Sequence, residues 1–120
     1  MGNNAYNTVN PEQHNRTKEA ARLLSALANP LRLRILRKLL LDTACVTDFV
    51  EGLDVDQPKV SQHLAVLREA GVIQCRAEGR KRCYSVVAPE RLREVLGSVE
   101  SLLTAVTEGG VADDERCIEP

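Results

Sequence analysis

Gln57-Pro58-Lys59-Val60-Ser61-Gln62-His63-Leu64-Ala65-Val66-Leu67-Arg68-Glu69-Ala70-Gly71-Val72-Ile73 is the stretch whose reading decides the fold. Val60, Leu64 and Leu67 recur at i, i+4 and i+7, the spacing of one face of an α-helix turned inward. Asp56 precedes them as a capping residue, Pro58 falls in the first turn where a missing N–H costs nothing, and Gly71 stops the helix. The remaining face is polar: Gln57, Lys59, Ser61, Gln62 and His63. A helix fits the major groove of DNA, so these five side chains near the helix start can reach base edges and phosphates, with Gln62 and Ser61 placed for base readout. Taken singly, the same residues are what an ordinary solvated helix face carries.

The neighbours on both sides turn this helix into a motif. Upstream, Val46, Phe49, Val50 and Leu53 predict a helix of two turns at most, closed by Gly52 and the Asp54 to Asp56 turn. Downstream the period changes: Val72 to Ala77 and Arg82 to Val87 are short extended runs around Glu78-Gly79-Arg80-Lys81, a hairpin with a flexible, basic tip. Two short helices joined by a tight turn and followed by a basic hairpin are the layout of a winged helix-turn-helix. Arg80, Lys81 and Arg82 then straddle the adjoining backbone or minor groove, adding affinity with little sequence information.

Further out, Pro11 and Glu12 open a helix through Ala20, Ala21, Leu23, Leu24, Leu27 and Ala28. Asn29-Pro30 caps and starts a second, reaching about Leu41, in which Leu31, Ile35, Leu36, Leu39 and Leu40 recur at helical spacing. Arg32, Arg34, Arg37 and Lys38 fill its remaining surface. After Pro89, Leu92, Val95, Leu96, Val99, Leu102, Leu103 and Val106 form a heptad-like seam that ends before Gly109-Gly110. The expected fold is therefore mainly α with a small β-hairpin: five helices and a two-stranded wing. A flexible arm spans residues 1–10, the folded domain 11–107, and a flexible acidic tail 108–120.

Composition limits the alternatives. With 120 residues there is room for one modest core, and with Tyr6, Phe49 and Tyr84 as the only aromatics that core is aliphatic. The net charge of -1 speaks against a nucleic-acid binder until it is divided along the chain. Residues 57–83 carry six basic and two acidic side chains, whereas residues 84–120 carry three basic and eight acidic ones. A local cationic segment neutralises phosphates whatever the total. Neither a nucleophile with its base, nor paired carboxylates, nor a phosphate-cradling glycine loop is present, so no enzyme is expected. The absence of a long apolar run or a signal-like start predicts a cytoplasmic protein without membrane association. In that reducing compartment Cys45, Cys75, Cys83 and Cys117 are expected as free thiols, metal ligands or redox sensors rather than structural disulfides.

The segments Leu27-Ala28-Asn29-Pro30-Leu31-Arg32-Leu33-Arg34-Ile35-Leu36, Gln57 to Ile73, and Glu78-Gly79-Arg80-Lys81, in that order, resemble the ArsR/SmtB family of bacterial metal- and stress-responsive repressors. The resemblance implies a homodimer built on the first and last helices, bound to an imperfect inverted repeat in duplex DNA and released by an inducer. Leu23 and Leu27, with the seam of Leu92, Val95, Leu96, Val99, Leu102, Leu103 and Val106, are the interface it implies, and the seam suits that use on its own terms. Packing within one subunit is the other reading of the seam. A dimeric helical protein-interaction module without specific DNA binding is the rival to the whole assignment.

The inducer is less legible. Relatives that sense zinc and nickel place an Asp-x-His pair and two further histidines on the last helix, and this chain has only His14 and His63. Relatives that sense arsenic, cadmium or lead carry Cys-x-Cys at the third helix, and Cys45-Val46-Thr47-Asp48-Phe49 retains only the first thiol. Soft ions take two to four thiolates, so a soft metal or metalloid at Cys45 needs a further ligand such as Cys117. Cys75 and Cys83 flank the hairpin tip and are expected to face each other if the turn centres on Gly79, making a redox- or inducer-sensitive thiol pair beside the DNA. Each cysteine can equally be a small, half-buried core or strand residue, and no cofactor is required for folding.

Overall fold

The computed structural model describes residues 10–41, the backbone of residues 44 and 45, and residues 55–109. The chain divides into two units, Met1–Val87 and Ala88–Pro120. The first holds, in order, α1 (Pro11–Leu27), α2 (Pro30–Leu41), β1 (Ala44–Cys45), α3 (Gln57–Glu69), β2 (Ile73–Glu78) and β3 (Lys81–Val86). The second holds α4 (Pro89–Glu108). The short helix expected from Val46 to Leu53 lies outside the described residues, which contain four of the five expected helices.

Helix ends follow from local chemistry. Asn10 Oδ1 accepts from the Gln13 N–H at 2.8 Å, and Asn29 Oδ1 accepts from the Leu31 and Arg32 N–H groups at 2.9 and 3.1 Å. Each cap satisfies donors that the first turn of a helix cannot, and each is followed by proline. Asp56 takes the capping position of α3 in extended backbone, but its side chain makes no capping hydrogen bond, so it marks the boundary without the expected stabilisation. At the other end of α3, Gly71 adopts φ 81°. Its N–H donates to Arg68 O, and the Val72 N–H donates to Leu67 O, both at 3.0 Å. This pair of reversed bonds caps the last carbonyls and turns the chain directly into β2.

The core of the first unit joins Ile35, Leu36 and Leu39 of α2 to Val60, Leu64 and Leu67 of α3. Ala26 and Leu27 at the end of α1, and Val72, Ile73, Tyr84 and Val86 along the hairpin, complete it. Burying each of the larger aliphatic side chains contributes about 1.5–3 kcal/mol.

The sheet is antiparallel with strand order β1-β3-β2. The expected two-stranded wing is present as β2 and β3, and a third strand, Ala44–Cys45, extends its sheet by pairing with Tyr84 and Cys83. Two residues are too few to show an alternation in the sequence. Cys83 and Tyr84 are successive residues of this central strand, so they lie on opposite faces, and both are buried.

In the second unit, α4 buries Leu92 and half-buries Leu96, whereas Val95, Val99, Leu102, Leu103 and Val106 are exposed. On α1, Leu23 and Leu24 are exposed as well. Of the residues expected at a subunit interface, Leu27 is 8% and Leu92 7% exposed in the single chain. No helix among the described residues is long and apolar enough to cross a membrane.

Candidate nucleic-acid interface

Val60, Leu64 and Leu67 are each 0% exposed, and this sets the rotation of α3 about its axis. The residues between them must then point outward. Gln57, Lys59, Ser61 and Gln62 are exposed and His63 is half-buried, so the five expected contact residues lie along the uncovered side of one helix.

The hairpin tip is a two-residue loop, Gly79-Arg80, closed by the Glu78↔Lys81 pair. Gly79 has φ 62°, the left-handed conformation that the first position of such tight hairpin turns demands. Arg80, Lys81 and Arg82 are exposed. On β2, the exposed Arg76 pairs with Glu78 at 2.7 Å. A surface pair of this kind contributes little stability, but it occupies the one carboxylate at the tip and leaves the three cations beyond it to set the local sign of charge.

Arg32 is the residue that sequence reasoning placed wrongly, as a surface filler. Its Nε donates to Ala26 O at 2.6 Å and its Nη2 to Ser25 O at 3.4 Å, both at the end of α1. Its Nη1 lies 3.0 Å from Nδ1 of His63. One guanidinium thus ties α1, α2 and α3 together. The available signal was position: Arg32, Leu36 and Leu39 fall at i, i+4 and i+7, so a charge sits on the inward stripe of α2. Burial, the Arg32 charge and then the Lys59 charge hold His63 below the usual histidine pKa.

The cysteines depart from expectation. The loop centre falls between Gly79 and Arg80, so Cys75 pairs with Tyr84 and Cys83 with Arg76. Cys75 and Cys83 therefore lie on opposite faces of the hairpin and do not form the facing pair. Cys75 is a free thiol, and burial followed by the neighbouring Cys75 thiol raises the Tyr84 pKa above its ordinary value. Cys83 is buried and disulfide-bonded, where a free thiol, metal ligand or redox sensor was expected rather than a structural disulfide, and its partner is not the free Cys75. The backbone register sets Cys83 across from Cys45 on its other side. The Cys45 side chain and Cys117 lie outside the described residues. Among the described residues no group of three or more His, Cys, Asp or Glu side chains is arranged to hold a metal ion.

Residues 29–74 match the family model described as "Bacterial regulatory protein, arsR family". The HTH-type transcriptional repressor SmtB of Mycobacterium tuberculosis is 40% identical over 80 residues, 67% of this chain, and the aligned region spans 59% of that repressor. The HTH-type transcriptional regulator Rv0081 of the same organism is 33% identical over 96 residues, covering 79% of this chain and 83% of the relative. Its crystal structure superposes with a TM-score of 0.71 over 87% of this chain and all of that one, at 31% identity. A homodimeric winged helix-turn-helix DNA-binding domain from Mycobacterium bovis, 22% identical, shares the fold with a TM-score of 0.72 over 90% of this chain and 99% of its own. A helix with a polar outer face, a basic hairpin beside it, and kinship across most of a relative's length lead to one conclusion: the chain belongs to the ArsR family of bacterial regulatory proteins.

Proposed function

We propose that the protein is a homodimeric transcriptional repressor that binds an inverted-repeat operator in cytoplasmic duplex DNA and is released by an inducer acting on cysteine. The observation that carries this reading is the outward row Gln57, Lys59, Ser61 and Gln62 on α3, held in place by a fully buried stripe, together with the cationic tip Arg80, Lys81 and Arg82. The row supplies hydrogen-bonding groups for base edges, and the tip supplies charge for phosphates. Repeated selection from random duplexes tests it. Enrichment of an inverted repeat supports the reading, and no enrichment over non-specific binding at moderate salt overturns it in favour of a dimeric interaction module.

Dimerisation rests on the uncovered apolar row of α4 and on Leu23 and Leu24 of α1. A second copy of the chain is the occupant that an inverted repeat requires, because two-fold symmetry in the protein mirrors two-fold symmetry in the site. Inducer chemistry is assigned to Cys83, buried in the central strand of the wing. Two-electron reduction by a dithiol would open its disulfide to two thiols while the dithiol is oxidised, and either the disulfide or its reduced thiols can then bias the wing that meets the DNA. Operator affinity measured with and without reductant, in wild type and Cys83→Ser, is expected to differ only in the wild type.

A further inference from the structure

The contact between Arg32 and His63 has a consequence for recognition that packing alone does not require. A guanidinium has only donors, so the nitrogen it meets at 3.0 Å must accept. His63 Nδ1 is therefore unprotonated, and the proton of the neutral ring resides on Nε2. His63 belongs to the same helix turn as Ser61 and Gln62, the residues assigned to base edges.

We propose that Arg32 is a positioning residue for DNA recognition: by donating to Nδ1 it locks His63 as the neutral tautomer whose Nε2–H is offered to an acceptor on the nucleic acid. This rests on the DNA-binding reading above. Without Arg32 the ring is free to carry its proton on either nitrogen or on both, and a neutral ring protonated on Nδ1 presents an acceptor to an acceptor. The anchor is firm because Arg32 is itself held by two backbone carbonyls of α1. The acceptor on the DNA is a phosphate oxygen or a base-edge atom such as a purine N7, which share the same chemistry.

Burial first, and then the two cations that face it, Arg32 from α2 and Lys59 from α3, disfavour a doubly protonated ring at His63. The hydrogen bond from Nε2–H, rather than an added charge, is what the neutral ring offers to the DNA.

The experiment uses the full-length protein labelled with 15N-histidine. Only two histidines are present, so a His14→Gln variant assigns the ring signals. At pH 7, His63 is expected to show a pyrrole-type Nε2 and a pyridine-type Nδ1, and a pyrrole-type Nδ1 overturns the proposal. Binding to a selected duplex is then compared for His63→Asn, which keeps an acceptor for Arg32 and removes the Nε2 donor, and for His63→Gln, which restores a donor near the Nε2 position. Loss of about three- to tenfold in affinity for His63→Asn, with partial recovery in His63→Gln, is expected for one hydrogen bond. Wild-type affinity in His63→Asn would show that the contact merely braces the helices. A loss on the selected and an unrelated duplex alike assigns the acceptor to phosphate, and a loss on the selected duplex alone assigns it to a base. Failure of the wild type to bind any duplex defeats the underlying DNA-binding reading, whereas the ring spectrum still reports the tautomer.

Discussion

At Arg32 a permanent cation is retained in a half-buried position because three acceptors converge on it, two carbonyls at the end of α1 and one ring nitrogen of His63. The cost of partial burial is offset by these charge-assisted bonds. His63 carries the titratable half of the arrangement, with its pKa lowered by burial, Arg32 and Lys59. The unfolded chain takes up a proton on this ring near pH 6.5 before the folded chain does, so the stability it contributes is fully present above that pH and is lost as pH falls through the folded value. Thermal unfolding at pH 7.5 and 5.5 should show a larger fall for the wild type than for His63→Asn, the carboxylates cancelling between the two proteins. An equal fall in both would remove His63 from the account.

The helix-to-hairpin junction shows how much of an element a single backbone angle controls. Gly71 sits at φ 81°, and a Cβ added there would meet nothing within 4 Å. The penalty for Gly71→Ala is thus purely conformational, about 1–2 kcal/mol, and is readable by denaturant titration. The hairpin turn is comparably sensitive to count. With an even, two-residue loop at Gly79-Arg80, Cys75 meets Tyr84, whereas an odd loop centred on Gly79 would have brought Cys75 to Cys83. The strand positions were legible from β-propensity and the glycine, but the register was not, because both loops suit the same residues. At the tip, Lys81→Ala and Arg82→Ala should each reduce the slope of log affinity against log salt by about one, equally on selected and unrelated duplexes. A change in sequence preference instead would make the tip a base reader.

At the scale of the whole molecule, the apolar row of α4 is exposed in the single chain, Leu102 at 64% and Val106 at 65%. Coverage by a second copy predicts a species of about twice the 13.2 kDa chain mass in sedimentation. Leu103→Glu, at a position 54% exposed in the single chain, should give monomer with little loss of fold and more than about a tenfold loss of operator affinity. A monomeric wild type that still binds the repeat would overturn the dimer. Periodicity, caps and glycines determined α1, α2, α3, the hairpin and α4 from sequence alone, since each rests on interactions within a few residues. The polar face of α3 was determined in the same way, as the complement of Val60, Leu64 and Leu67. Only the tertiary structure decided that Arg32 reaches His63 across 31 positions, and that β3 is a central strand with Cys83 and Tyr84 both buried. Those outcomes depend on which surfaces meet in space: spacing marks Arg32 as lying on the inward stripe of α2, but it carries no record of the partner met there.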